Sequence, residues 1–164
     1  MKKIVLLVVG LLTFSVGVGF AAPINDLTAG QSAAGVMLNH DQNSFYVENK
    51  VTDTLTAGYE KVNLNDVGMD DFYTQFDMNK GAKLLLGFRD LPSDSDAYAG
   101  LALSSVLSPE CTAYGTFKAG KDFTEAQLGA NYKLSDQYAL NLNYRAFNNH
   151  GFSYVTTVGA SVMF

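Results

Sequence analysis

The C-terminal run of this chain alternates with a period of two. Phe164, Val162, Ala160, Val158, Thr156 and Tyr154 fall on one face, and Met163, Ser161, Gly159, Thr157, Val155 and Ser153 on the other. Successive side chains of a strand point to opposite faces, so this run reads as a long β-strand with an aromatic residue at its end. The same alternation recurs upstream. Ten strands are read at 32–39, 44–51, 54–62, 71–78, 82–89, 96–106, 112–118, 123–134, 138–147 and 152–164. Between them stand polar or sterically special breaks: Thr52 and Asp53, Asn79 to Gly81, Ser108 to Glu110, and Ser135 to Gln137. Eight strands is the alternative if 44–51 or 112–118 is not a full span.

Strand parity assigns the faces. Leu84, Leu86 and Phe88 share one face, opposite Lys83, Gly87 and Arg89. Leu140, Leu142 and Tyr144 oppose Asn141, Asn143 and Arg145. Ala126, Leu128, Ala130, Tyr132 and Leu134 oppose Glu125, Gln127, Asn131 and Lys133. Hydrocarbon offers polar groups no hydrogen bonds, so a membrane-spanning sheet must close and turn its apolar face outward. These strands fit an all-β, antiparallel up-and-down transmembrane barrel with short loops.

The first residues carry an export signal. Lys2 and Lys3 precede the apolar run 4–19, and small residues follow. This is the layout of a secretory signal peptide. Cleavage after Ala21 places Gly19 and Ala21 at the small-residue positions; cleavage after Ala22 would place Phe20 there and Pro23 just beyond the cut. The rival reading, an uncleaved anchor, does not account for the small-residue ending. The expected organisation is a signal peptide over 1–21, a short irregular periplasmic segment over 22–31, and a barrel over 32–164. Removing Lys2 and Lys3 leaves nine basic residues against sixteen acidic, a net charge of −7. That balance argues against a nucleic-acid partner. The lone Cys111 cannot form an internal disulfide; it is a free thiol or an intermolecular one.

Thr157, Gly159, Val162 and Phe164 match the C-terminal pattern of bacterial outer-membrane barrels. With the signal and the alternating strands, the chain resembles the small OmpA-like and opacity-like barrel proteins of Gram-negative bacteria. The resemblance implies an outer-membrane location with both termini periplasmic. It implies contact with outer-membrane lipid and lipopolysaccharide, and with periplasmic chaperones and the barrel-assembly machinery during biogenesis. It implies a monomer with no cofactor. Aromatic girdles are then expected at both interfaces: Phe45, Tyr59, Phe72, Phe88, Phe117, Tyr144 and Tyr154 at the outer one, and Tyr132, Tyr138 and Phe164 at the periplasmic one.

The inward face is expected to carry Glu48, Lys50, Glu60, Asp77, Lys83, Arg89, Lys118, Glu125, Lys133 and Arg145. Interiors of about 8 strands are just filled by side chains, whereas an aqueous channel needs about 16. A paired polar plug of side chains is therefore the first reading. A narrow passive, porin-like channel is the alternative, helped by inward glycines at 35, 58, 87, 100, 129 and 159.

Other candidate sites are thinner. Asp66, Asp70 and Asp71 are expected on the second outer loop and Asp90, Asp94 and Asp96 on the third, with no calcium-loop spacing. His40, Asp41 and His150 form an incomplete metal set that barrel closure would bring to one edge. A lipid A-modifying enzyme would need a Ser activated by an oriented base; neither His150 with Ser153 nor Ser44 with His40 and Asp41 matches such a motif. Short loops also leave little area for adhesion, since a specific interface buries about 800 Å² per partner. The expectation is a non-catalytic outer-membrane barrel with a mixed-charge lumen.

Overall fold

The computed structural model describes residues 22–40, 42–64, 67–91, 94–149 and 151–164. The signal-like segment, Asp41, Asp66 and His150 lie outside the described residues. Ten antiparallel strands form one closed barrel: β1 (Ser32–Asn39), β2 (Gln42–Lys50), β3 (Leu55–Leu64), β4 (Val67–Asn79), β5 (Ala82–Asp90), β6 (Ser95–Ser108), β7 (Cys111–Gly120), β8 (Thr124–Lys133), β9 (Tyr138–Asn148) and β10 (Phe152–Met163). Each strand pairs with its neighbours in sequence, and β10 returns to β1. The alternative of eight strands is thereby excluded.

Closure is made by β1 against β10, with Ala33 opposite Met163 and Leu38 opposite Val158. At the seam Ser32 donates to Phe164 O (2.8 Å) and Phe164 N donates to Ser32 O (2.9 Å). Among the described strands no sheet edge remains, as a membrane wall requires. The connections after β1, β3, β5, β7 and β9 lie at one end, hereafter the loop end. The other four connections and both ends of the barrel segment lie at the opposite, terminal end.

The faces are inverted relative to a water-soluble barrel. Leu101, Leu103, Phe117, Leu128 and Leu140 stand exposed on the outside, while Arg145, Glu125, Glu60, Asp71 and Glu48 are each at most 2% exposed inside. Phe45, Phe72, Phe88, Phe117, Tyr132, Tyr138, Tyr154 and Phe164 are exposed on the outer surface, and Tyr59 and Tyr144 are half-buried there. Neighbouring strands bring some of these rings together: Tyr59 and Phe72 are 4.9 Å apart between centroids, and Tyr144 stacks on Tyr154 at 6.5 Å.

Two expectations are corrected. Asp70, Asp71, Asp90 and Asp96 are strand residues rather than loop residues: Asp90 is the last residue of β5, and β4 runs for 13 residues and β6 for 14. The alternation of both strands continues past the acids that looked like solvated loop. Asp71 and Asp96 are buried on the inner side. Residues 22–28, read as a lead hanging outside the barrel, lie within it: Ala22, Ile24, Asn25 and Leu27 are all buried. The chain doubles back at Gly30, whose φ of 86° lies in the left-handed region that glycine adopts freely. There Gly30 N donates to Lys50 O (2.7 Å) and Gln31 N to Thr28 O (2.9 Å). Ile24 and Leu27 supply the physical reason. Each is an apolar side chain with no use in water, and its burial contributes roughly 1.5–3 kcal/mol.

Candidate functional site: a filled barrel lumen

Parity of the strands places the lumen side chains in three tiers. The tier toward the loop end is ionic. Arg89 on β5 donates through Nη2 to Asp71 Oδ2 on β4 (2.5 Å) and through Nη1 to Glu125 Oε2 on β8 (2.6 Å). Arg145 on β9 pairs with the same Glu125 oxygen. Lys118 on β7 lies 3.4 Å from Asp71 Oδ2 and 3.5 Å from Glu125 Oε1. Tyr98 on β6 donates its hydroxyl to Asp71 Oδ1 at 2.8 Å. Buried charge is tolerated only where it is paired; each charge of this tier has an opposite partner, although Arg145 Nε and Nη1 and Glu125 Oε1 lack a hydrogen bond. Apolar rings cover it toward the loops. The Arg89 guanidinium sits 4.6 Å from the centroid of Phe123, and that of Arg145 5.5 Å from Phe147. Both rings are buried, and such stacking favours a desolvated cation.

The middle tier is the N-terminal segment. Ala22 N donates to Glu60 Oε2 on β3 (2.9 Å), and Gln127 Nε2 on β8 to Ala22 O (3.4 Å). Asn131 Nδ2 donates to Ile24 O at 2.8 Å. Asn25 donates to Glu48 Oε1 (2.8 Å), and Lys83 Nζ to Asn25 O (3.2 Å). Glu48 also accepts from Tyr73 (3.1 Å) and Gln75 (3.1 Å). Ile24 packs with Leu85, Ala102 and Tyr114. The segment thus bonds to strands on opposite sides of the barrel. The pocket enclosed by Ala22, Ile24, Tyr73, Gln75 and Lys118 holds only about 20 Å³, room for about one water by the usual requirement of 10–15 Å³; Ile24 also borders the larger cavity at the terminal end.

The tier at the terminal end is open. Lys50 and Lys83 pair with Asp77, the latter at 3.6 Å. Beyond them a cavity of about 650 Å³ is lined by Asp26, Asp77, Lys80, Lys83, Ser104 and Thr112 among others. Lys133 shares the inward parity but is exposed at the rim.

Five of the six inward glycines have their space occupied by large neighbours, and Gly100 lies against Lys118. Tyr46 lies opposite Gly35, Tyr73 opposite Gly58, Tyr98 opposite Gly87, and Tyr114 opposite Gly129. A Cβ on any of these glycines would collide with the opposing ring. Met37 covers Gly159 in the same manner. All four tyrosines are buried. The sequence reading missed them, together with Asp71, Asp96 and the segment 22–28; parity alone would have placed Tyr73, Gln75 and Asp71 beside the inward Asp77.

The remaining candidates are dispersed. His40 is exposed after β1, and Asp41 and His150 lie outside the described residues. Among the described residues no group of three or more His, Cys, Asp or Glu side chains is placed to hold a metal. Ser44 points into the lumen, 3% exposed, and Ser153 is half-buried in β10. Thr157 faces the lumen and Phe164 the outside. Cys111 is a free, half-buried thiol at the start of β7.

No family model and no curated protein matches the chain. Solved structures do. The KdgM porin aligns over 82% of this chain and 99% of its own, at 7% identity and a TM-score of 0.51. The chain has the fold of an outer-membrane porin barrel. The NanC porin gives the same result, with 81% and 97% covered, 4% identity and a TM-score of 0.51. At these identities the likeness is one of architecture, and the lumen contents are this chain's own.

Proposed function

We propose that this chain is a non-catalytic integral protein of a bacterial outer membrane whose lumen is closed at rest. The observation that carries the reading is the inversion of its faces. Leucines and phenylalanines stand exposed on the outside of a closed barrel, while a paired ionic network is buried within. A lipid surround satisfies that outer face and water does not. The fold shared with porins and the export signal support the location. The small pocket left between Ala22 and the ionic tier, about 20 Å³, supports closure.

A narrow passive channel is the second reading. It is favoured by the cavity of about 650 Å³ at the terminal end, lined in part by Asp77, Lys80 and Lys83, which opens toward solvent as a vestibule would. Catalysis draws no support from the ionic tier, where Asp71 and Glu125 are each held by cations.

The test of location is fractionation combined with refolding. The protein is expected in the outer-membrane fraction, to fold only when detergent or lipid is supplied, and to migrate differently in gels when unheated. Folding to the same barrel in plain buffer would overturn the reading.

A further inference from the structure

We infer that export processing creates the group that locks the lumen: the α-ammonium of Ala22, freed by cleavage of the Ala21–Ala22 bond, is the counter-ion of Glu60. The inference rests on the reading of the chain as an exported, closed barrel and adds a binding site for its mature N-terminus.

Three observations converge. First, Ala22 N already lies 2.9 Å from Glu60 Oε2, deep in the lumen, with Glu60 only 1% exposed. Second, Glu60 is undersatisfied by an ordinary peptide nitrogen. Its Oε1 has no hydrogen-bond partner, and no Lys or Arg among the described residues forms a salt bridge with it; the cations nearby, Arg89, Lys118 and Arg145, are bridged instead to Asp71 and Glu125. A peptide nitrogen offers one N–H and no charge, whereas an ammonium offers three N–H donors and a full positive charge. A carboxylate buried without a cation is costly. Third, the lumen inventory is short of one cation. Glu48, Glu60, Asp71, Asp77, Asp96 and Glu125 are buried or half-buried there against Lys50, Lys83, Arg89, Lys118 and Arg145. The Ala22 ammonium evens that balance.

The chemistry is simple hydrolysis by a signal peptidase. The C–N bond between Ala21 and Ala22 breaks, water's hydroxyl goes to the Ala21 carbonyl carbon and its proton to the Ala22 nitrogen, and ionisation of the new carboxylic acid releases the second proton that makes the amine an ammonium. A free α-amine titrates near 7.7–8.0, so it is mainly protonated at neutral pH. The cut therefore produces at one stroke a chain end and its charge. Gln127, donating to Ala22 O, and Asn25, donating to Glu48, hold the segment on both sides of that end. An N-terminus displaced by even one residue would put a neutral peptide against Glu60.

The test uses protein purified from outer membranes and the same mature chain refolded in lipid vesicles. Mass spectrometry is expected to find Ala22 as the first residue; any other start overturns the inference. An amine-reactive label is then applied to the folded protein. The Ala22 amine is expected to react at least about tenfold more slowly than in the unfolded chain, the protection of a group exposed only by opening. Equal rates in a demonstrably folded barrel would overturn the inference. Refolded chains starting at Ala22 and at Ala21 are also compared in urea. The Ala22 chain is expected to unfold at higher urea, and the difference to vanish in Glu60→Gln. A difference that persists in Glu60→Gln, or is absent from the wild type, contradicts the pairing. Should Glu60→Gln not fold, the labelling result decides. Conductance bears on closure of the lumen, so its failure is distinguishable from a failure here.

Discussion

Arg89 on β5 reaches Glu125 on β8 at 2.6 Å, although β6 and β7 stand between them in the barrel wall. The bond crosses the interior along a chord, spanned by two side chains laid end to end. Glu125 also receives Arg145. Removing it leaves two buried guanidiniums short of a carboxylate. Glu125→Ala is expected to lower stability by about 3–5 kcal/mol, the usual cost of breaking a buried pair from one side. Urea unfolding of the protein refolded in vesicles measures it. A loss under about 1 kcal/mol would mean that water, rather than Arg89 and Arg145, solvates Glu125.

The tyrosine–glycine pairs give a second prediction. Gly87 lies directly opposite Tyr98, whose ring occupies the space that a Cβ would need. Gly87→Ala is expected to cost about 1–3 kcal/mol as an overpacking change. Combined with Tyr98→Ala it should cost less than the sum of the two single changes, because the clash disappears with the ring. Strict additivity in the double-mutant cycle would show that the ring does not rest on Gly87.

Much of this architecture was legible as alternation. Ten strands, their antiparallel order and the outward set from Phe45 to Phe164 follow from period two and turn residues. The acids were misread where composition overrode parity. Asp70 and Asp71 look like solvated loop, yet Asp71 shares parity with Tyr73, Gln75 and Asp77 and is the partner of Arg89. The tyrosine–glycine pairs depend on register between strands, which a single sequence does not print. Residues 22–28 have no periodicity at all. Their place follows from the bonds of Asn25 and Ala22 to Glu48 and Glu60, contacts between positions far apart in the chain.

The C-terminal residue should act on assembly more than on stability. Phe164 exchanges two backbone hydrogen bonds with Ser32 at the closing seam, and its ring is exposed on the outer surface. Each such bond contributes about 0.5–1.5 kcal/mol, so a refolded chain lacking Phe164 is expected to lose no more than about 3 kcal/mol. In cells its outer-membrane level is expected to fall much further, if the terminal aromatic is the signal for insertion. Immunoblotting of membrane fractions checks this; a normal level in cells would contradict the role.

The closed lumen is tested most directly by single-channel recording in planar bilayers with the purified mature chain. The ionic tier and the segment 22–28 stand across the lumen, and the pocket between them, bordered by Ala22, Tyr73, Tyr98 and Lys118, holds only about 20 Å³, so the expected trace is flat, with no discrete steps. Reproducible unitary steps from the intact, folded protein would contradict closure and favour the narrow channel.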